Sequence, residues 1–276
     1  MILLEELSRA ASRIETPCGP GRMVWHAWNA GAGSPLVLLH GGNGSWRHWV
    51  RQVQHFGASR CVIAADLPGL GESDDAPDPG DPPTIAAVVA EGLRRIVPDT
   101  SRVDLAGFSF GANIAGHVAA LLGADLRTLT IVGAGALGVA RGETPLMKIR
   151  DKEGEARVAA HRHNLASLMI KDPARIDDLA LAIQEWNTVH ARTRSRGFAT
   201  TSMLRDRLRE SRAPIGAIWG DADQVAVPHL DQRIAALREA RPDAALELVP
   251  GAGHWVMYEA PEACNAALSR LMARAV

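Results

Sequence analysis

The sequence predicts an α/β fold: a mostly parallel central sheet flanked by helices, with one inserted helical segment. Short apolar runs alternate with longer stretches of helical periodicity, which is the pattern of strands and helices in such a sheet. Several of these runs are apolar without alternation, as expected for parallel strands buried on both faces. The alternation stops over residues 139–208, where helical periodicity continues in residues 176–194 but no strand pattern follows.

The predicted elements follow one another in strand–helix order along the chain. The apolar runs predict strands at residues 35–40, 61–66, 102–106, 126–132, 214–219 and 244–249. The periodic stretches predict helices at residues 45–56, 84–96, 110–122, 229–240 and 260–273. We therefore predict a core domain of residues 1–138 and 209–276 and a helical cap, or lid, of residues 139–208.

Composition and charge limit the classes of partner. The chain has 30 Lys and Arg against 31 Asp and Glu, so it lacks the basic footprint of a nucleic-acid-binding protein. No apolar segment approaches the length of a membrane span. The first residues, MILLEELSRAASR, lack the basic start and long apolar stretch of a secretory signal. We expect a cytoplasmic protein that acts on a small molecule, with no nucleic-acid or membrane partner; a homodimer is left open.

No motif predicts a cofactor or a metal. The three cysteines are far apart and form no C-x-x-C pair, so neither a disulfide framework nor a metal site is indicated. Residues 133–138 match G-x-G-x-x-G, but no helix and second strand follow within a βαβ unit, which a dinucleotide site requires. His161 and His163 are two residues apart and would diverge on a helix. We expect no cofactor and no metal ion.

The strongest local signal is Gly-Phe-Ser-Phe-Gly at residues 107–111, centred on Ser109. It follows the predicted strand 102–106 and precedes the predicted helix 110–122. A turn this sharp crowds its neighbours, so small residues are required two positions before and after the serine. Such a turn exposes the hydroxyl at the carboxyl end of the strand, and the helix N-terminus favours negative charge nearby. Ser109 is therefore the candidate nucleophile.

A serine nucleophile needs a base and an acid that orients the base. His254 follows the predicted strand 244–249, and Asp221 and Asp223 both follow the strand 214–219. These positions lie in loops at the carboxyl ends of strands, where α/β sheets place their sites. His254 is the candidate base. For the acid, Asp221 and Asp223 compete: Asp221 directly follows a glycine, where a residue that shapes the turn is expected, and Asp223 lies two residues further on.

A transition-state oxyanion requires two hydrogen-bond donors. The backbone N–H of Phe110, directly after the nucleophile, is the first candidate. The second is the N–H of Gly42, in the glycine-rich loop after the strand 35–40. This loop does not continue as Gly-Lys-Ser/Thr, so a phosphate-binding P-loop is excluded. We interpret His40 in the same loop as a structural hydrogen-bonding residue.

Five separated motifs, LVLLHGGNGSW, AADLPGLGESD, GFSFGA, WGDADQVAVP and PGAGHWVMYEAPE, resemble the α/β-hydrolase superfamily and occur in its order. The resemblance covers the chain from about residue 20 to the end. It implies the α/β-hydrolase fold and a Ser-His-Asp triad of Ser109, His254 and Asp223, with Asp223 preferred over Asp221. It also implies that residues 139–208 form a lid over the active site.

Two enzyme classes agree with a serine nucleophile in this superfamily. The first hydrolyses carboxylic esters, lactones or thioesters. The second cleaves carbon–carbon bonds of meta-cleavage products in aromatic degradation, and GGNGSW, Gly-His-Trp at 253–255 and LMIKDPARIDDLALAI resemble that group. Those enzymes typically have Asn before the nucleophile, where this chain has Phe108, and a lid arginine that is missing near Trp186. We therefore rank ester hydrolysis first and carbon–carbon hydrolysis second.

A set of mostly apolar and aromatic residues near these motifs predicts a pocket for a small or medium hydrophobic group. The predicted pocket residues are Asn43, Trp46, Phe108, Trp186, Trp255 and Met257. Each residue type is also common in cores, and for Trp46 the two interpretations are equally supported. A third class of function is a ligand-binding protein that has this fold without its chemistry, although such proteins usually break the triad.

Overall fold

The chain folds around an eight-stranded sheet in a computed structural model that describes residues 2–97, 102–194 and 196–275. The strand order is β1-β2-β4-β3-β5-β6-β7-β8. β1 and β2 pair antiparallel, as do β2 and β4, and all other neighbours are parallel. The predicted α/β class with a mostly parallel sheet is confirmed.

The elements have the following bounds. The strands are β1 Ser12–Cys18, β2 Gly21–Trp28, β3 Leu36–Leu39, β4 Val62–Ala65, β5 Val103–Phe108, β6 Leu126–Val132, β7 Ile215–Gly220 and β8 Ala245–Val249. The α-helices are α1 Ile2–Ala10, α2 Val50–Phe56, α3 Pro82–Ile96, α4 Phe110–Leu122, α5 Gly154–Leu168, α6 Asp178–Val189, α7 Met203–Glu210, α8 Leu230–Ala240, α9 Val256–Glu259 and α10 Pro261–Met272. One turn of 3-10 helix, Trp46–Trp49, leads into α2.

The six predicted strands correspond to β3–β8, whereas sequence analysis missed β1 and β2. β1 is the edge strand of the sheet, and most of its side chains are exposed or half-buried. Its residues Arg13 and Glu15 form surface ion pairs instead of packing in a core. Apolar runs identify buried central strands, so they do not identify an edge strand such as β1, whose residues are mostly polar and exposed.

Side chains of the central strands fill two buried clusters on opposite faces of the sheet. In β3, Val37 and Leu39 join the cluster that includes α3 and α4, while Leu36 and Leu38 join the cluster with α2 and α10. All four are fully buried. Burial of one such side chain stabilises the folded state by about 1.5–3 kcal/mol. The apolar contacts on each face of the sheet therefore stabilise the packing of the helices on that face.

The segment between β6 and β7 contains α5, α6 and α7 after an irregular stretch at residues 133–153, and no strand in its described residues. α5 and α6 pack against each other, and buried residues of both belong to the α2 side of the sheet. α7 instead packs on α4 and α8, and its Leu204 and Leu208 lie in the cluster on the other face. A separate cap domain of residues 139–208 remains a prediction. None of the described helices has the length and apolar character needed to cross a bilayer.

Candidate active site

Ser109 occupies a sharp turn between β5 and α4. Its φ of +52° is in the left-handed region, which is uncommon for residues other than glycine. The turn closes on its own neighbours: a Cβ on Gly107 would lie 2.3 Å from the carbonyl oxygen of Gly111, and one on Gly111 would lie 2.4 Å from the carbonyl of His40. Glycine is therefore required on both sides of Ser109, as the motif predicts. Strain of this kind costs about 1–3 kcal/mol and is concentrated at functional sites.

The fold brings Ser109, His254 and Asp223 into one hydrogen-bonded chain. Nε2 of His254 is 3.0 Å from Oγ of Ser109, and Nδ1 is 2.8 Å from Oδ2 of Asp223. A carboxylate only accepts hydrogen bonds, so Nδ1–H donates to Asp223 and Nε2 is left to accept from the Ser109 hydroxyl. The three residues come from loops after β5, β7 and β8, at the carboxyl ends of parallel strands.

The geometry also separates the roles of the two aspartates. Asp223 is fully buried, and its Oδ1 accepts the N–H groups of Val225 and Ala226 at 2.8 and 3.1 Å. Asp221 is exposed, and its Oδ1 accepts the N–H of Gly251 at 2.7 Å. Asp221 therefore shapes the turn, while Asp223 contacts the histidine.

Both predicted oxyanion donors lie beside Ser109. Phe110 is the first residue of α4, so its N–H has no partner within the helix. Gly42 lies in the loop after β3, and both residues line the same cavity as Ser109. The loop approaches the nucleophile closely, because a Cβ on Gly41 would lie 3.4 Å from Cβ of Ser109.

A cavity of about 500 Å³ opens over Ser109 and His254. Much of its wall is apolar, with contributions from Leu146, Met147, Ile149, Leu168, Met169 and Val225. Among the residues that the structure describes, its charged lining residues are Arg141, Lys148 and Arg194, and no Asp or Glu lines it. Arg141 donates a hydrogen bond to Oγ1 of Thr144 at 2.6 Å. The cavity thus combines an apolar wall with positive charge.

The comparison with family models decides the classification. A model described as "Alpha/beta hydrolase family" matches residues 36–267, which is most of the chain. This chain belongs to the alpha/beta hydrolase family. The prediction of an α/β-hydrolase fold is confirmed.

Curated and solved relatives of this chain have several different names. A dihydrolipoyllysine-residue acetyltransferase component of an acetoin cleaving system from Pseudomonas putida is 29% identical over 259 residues, which are 89% of this chain and 65% of that protein. The chain thus spans less than two thirds of that relative's length. A 2-hydroxy-6-oxo-6-(2'-aminophenyl)hexa-2,4-dienoic acid hydrolase from Metapseudomonas resinovorans is 25% identical, with 89% of this chain and 87% of that protein covered. The crystal structure of an esterase from Rhodococcus sp. ECU1013 superposes with a TM-score of 0.80 at 21% identity, covering 97% and 100% of the two chains.

Two of the predicted pocket residues, Asn43 and Phe108, line the cavity. Asn43 follows Gly42 in the loop after β3 and has a φ of +48°. Phe108 is nearly fully buried, and its ring centroid lies 5.0 Å from that of His254. The side chain directly before the nucleophile therefore packs against the candidate base.

The other four predicted pocket residues, Trp46, Trp186, Trp255 and Met257, do not line the cavity in the described structure. Trp46 is fully buried 5.2 Å from the ring of Trp28. Trp255 and Met257 are fully buried, and Nε1 of Trp255 donates to the carbonyl of His48. These side chains pack in the core, which their sequence neighbourhood alone does not distinguish from a pocket.

Trp186 lies in α6 and belongs to an aromatic stack outside the cavity. Its ring lies 3.8 Å from the ring of His190 with an interplanar angle of 12°, and the guanidinium of Arg47 lies 3.6 Å from its centroid. Contacts of an arginine with an aromatic face contribute about 0.5–2 kcal/mol. Trp186 therefore joins α6 to the segment before α2 and does not line the cavity in the described structure.

Several polar residues that line the cavity were not predicted from the sequence. Asn113 lies one helical turn after Ser109 in α4, and Gln184 and Thr188 are one turn apart in α6. Spacing of four residues puts side chains on the same helix face, so this signal was present in the sequence. His48 also lines the cavity, and burial, with His40 and His254 nearby, lowers its pKa well below the usual range. The His48 ring is therefore neutral at pH 7.

One group of potential metal ligands occurs among the described residues, formed by His26, Asp66 and Glu72. The oxygens of Asp66 accept the N–H groups of Trp46 and Glu72 at 2.8 and 2.9 Å. The guanidinium of Arg47 interacts electrostatically with both carboxylates, so positive charge is already supplied there. We interpret the group as structural, with Asp66 joining the turn at residues 66–72 to the start of the Trp46 helix.

Proposed function

We propose that this hydrolase cleaves a carboxylic ester, lactone or thioester through an acyl-enzyme on Ser109. The observation that carries the proposal is the chain of two hydrogen bonds, 3.0 and 2.8 Å long, from Ser109 through His254 to Asp223. Ser109 and His254 line a cavity of about 500 Å³, within the ordinary size range of small-molecule sites.

The reaction follows from these contacts. Nε2 of His254 takes the proton of Ser109 as Oγ attacks the carbonyl carbon, and Asp223 stabilises the imidazolium that forms. The oxyanion accepts hydrogen bonds from the N–H groups of Gly42 and Phe110. His254 then gives its proton to the leaving alcohol or thiol. A water molecule repeats the sequence on the acyl-enzyme and releases the acid, with the proton returned to Ser109.

The lining supports a substrate with a small or medium apolar acyl group. The apolar wall formed by Leu168, Met169 and Val225 suits a short alkyl or aryl chain. Lys148 and Arg194 are exposed at the same cavity, which no acidic residue lines in the described part of the chain. A cleft with one sign of charge concentrates ligands of the opposite sign, so we expect an added carboxylate on the substrate to improve binding.

Carbon–carbon hydrolysis is the second candidate function. Similarity to the dienoic acid hydrolase of Metapseudomonas resinovorans favours it, and Arg194 lines the cavity where a carboxylate partner would be needed. Against it, Phe108 supplies an apolar ring beside His254 where that group typically has an asparagine. Ester hydrolysis therefore stays first. The hydrogen-bonded arrangement of Ser109, His254 and Asp223 disfavours a binding-only protein.

A fluorophosphonate and a substrate panel test these proposals. Stoichiometric labelling of Ser109, absent in Ser109→Ala and slowed in His254→Ala, is the expected result. A folded wild-type protein that is not labelled would favour the binding-only function. The panel compares p-nitrophenyl acetate through octanoate with a 2-hydroxy-6-oxo-dienoate. Much faster turnover of the dienoate than of any ester would reverse the ranking.

A further inference from the structure

Glu259, the last residue of α9, has a buried carboxylate in the loop region of His254. Its side chain accepts three backbone N–H groups: Gly253 at 2.7 Å, Lys171 at 3.0 Å and Asp172 at 2.7 Å. The residue is only 6% exposed. Carboxylates form stronger and shorter hydrogen bonds to N–H groups than neutral acceptors do. One side chain thus holds the loop before His254 and the segment between α5 and α6 together.

A second contact joins the same two segments on the other side of His254. The N–H of Trp255 donates to the carbonyl of Met169 at 2.6 Å. Both peptides that flank His254 are therefore fixed, one through Glu259 and one directly on the segment after α5. Met169 also lines the cavity, so the anchored segment is part of the substrate-binding wall.

The space around Gly253 shows how closely these parts approach. A Cβ on Gly253 would lie 2.7 Å from the amide nitrogen of Lys171, 2.8 Å from Oε1 of Gln224 and 3.0 Å from Oε2 of Glu259. Real Cβ contacts essentially never fall below 3.0 Å, so a side chain here would separate Glu259 from its donors. Gly253, directly before the candidate base, is thus part of the close contact between the loop before His254 and the segment after α5.

We propose that Glu259 is a positioning residue for His254, and this proposal rests on the proposed esterase function. It fixes the peptide before His254 against the segment that lines the cavity, so that Nε2 stays at hydrogen-bond distance from Ser109. Loss of this anchor misplaces the imidazole without removing any reacting group. Misplacement by about 1 Å costs about 100-fold in rate in well-oriented reactions.

The test compares Glu259→Gln with wild type on p-nitrophenyl butyrate. The amide nitrogen of glutamine donates and does not accept, so at least one of the three bonds is lost in a side chain of equal size. We expect kcat per active site, titrated with fluorophosphonate, to fall about 10- to 100-fold while KM stays within about twofold. Glu262→Gln is the matched control, since Glu262 is an exposed carboxylate three residues away; it should keep both constants.

Gly253→Ala is the second variant, because its added Cβ would push the loop before His254 away from Lys171 and Glu259 while the Glu259 carboxylate is kept. The proposal expects the same loss of kcat with little change in KM. An unchanged kcat per titrated site in both variants, with only a lower Tm, would show that Glu259 is structural and would overturn the proposal. A rise in KM alone would overturn it too, since the anchor would then act only on the cavity wall. Failure of the wild-type enzyme to be labelled or to hydrolyse any ester would instead refute the esterase function itself.

Discussion

Oδ2 of Asp223 lies 2.8 Å from Nδ1 of His254, and both side chains are buried. The other oxygen of the carboxylate is held by two backbone N–H groups of the turn that follows it. The carboxylate therefore has one orientation, and the imidazole is kept in the tautomer that presents Nε2 to Ser109.

Asp223→Asn should lower kcat for p-nitrophenyl esters by roughly 10³- to 10⁴-fold. An amide NH₂ facing Nδ1 would donate to it and favour the wrong tautomer. The control is Asp221→Asn, two residues earlier, where the side chain caps a turn and does not contact His254. A comparable loss of kcat in both variants, measured on folded protein, would contradict the assignment of the acid.

Asp104 in β5 is a buried carboxylate that should matter for stability and not for chemistry. It accepts hydrogen bonds from Arg60 at 2.8 Å, from Arg127 at 2.9 and 3.0 Å and from Thr128 at 2.7 Å. Asp104→Ala leaves these donors without their carboxylate. We expect the free energy of unfolding in urea to fall by about 3 kcal/mol, the lower end for a broken buried pair, because both guanidinium groups are partly exposed.

The control for that measurement is Asp243→Ala. Asp243 pairs with Arg241 at 2.7 Å with similar geometry, but its side chain is 58% exposed. Exposed ion pairs contribute about 0–1 kcal/mol to stability, so this variant should lower the free energy of unfolding by at most about 1 kcal/mol. Equal losses in the two variants would show that burial of Asp104 does not set its contribution.

Lys148→Gln and Arg194→Gln should each weaken binding of an anionic ester. For mono-p-nitrophenyl glutarate we expect KM to rise about two- to fivefold, the effect of losing one exposed ion pair. KM for neutral p-nitrophenyl butyrate should stay unchanged, and the difference should shrink at high salt. Arg95→Gln, an exposed arginine on α3, is the control. Equal effects on both esters would refute charge selectivity.

His48 should make the stability of the protein depend on pH. Burial lowers its pKa in the folded state, so the unfolded chain binds a proton more readily. The stabilisation is therefore fully present above the unfolded pKa of about 6.5 and is lost as pH falls below it. In urea unfolding between pH 7 and pH 5, His48→Gln should show a shallower decline than wild type. His55→Gln, an exposed histidine on α2, should match wild type; the same flattening there would contradict the prediction.

Much of the core was predictable because its signals are local. The apolar runs that became β3–β7 are buried on both faces, so each of these strands carries its own evidence, and the apolar run of the half-buried β8 follows the same pattern. β1 carries none, since Arg13 and Glu15 point to solvent at the edge of the sheet. α5 lies within the predicted helical segment but was not predicted as a separate helix, because its buried residues include His161 and Asn164, which interrupt any apolar periodicity.

The sequence by itself determined one side of the elbow around Ser109, because the clash that demands glycine at 107 is with Gly111 and Ala112, only a few positions away. Glycine at 111 is demanded by the carbonyls of Leu39 and His40 at the end of β3, which is a tertiary contact. The sequence also determined the order of serine, aspartate and histidine along the chain. Only the tertiary structure decided that Phe108 lines the cavity while Trp255 packs in the core. It also decided that Glu259 joins the loop before His254 to Lys171 and Asp172, which are 88 and 87 residues from Glu259 in the chain. Sterics within a turn depend on neighbours in sequence, whereas the choice between wall and core depends on which distant segments pack against a side chain.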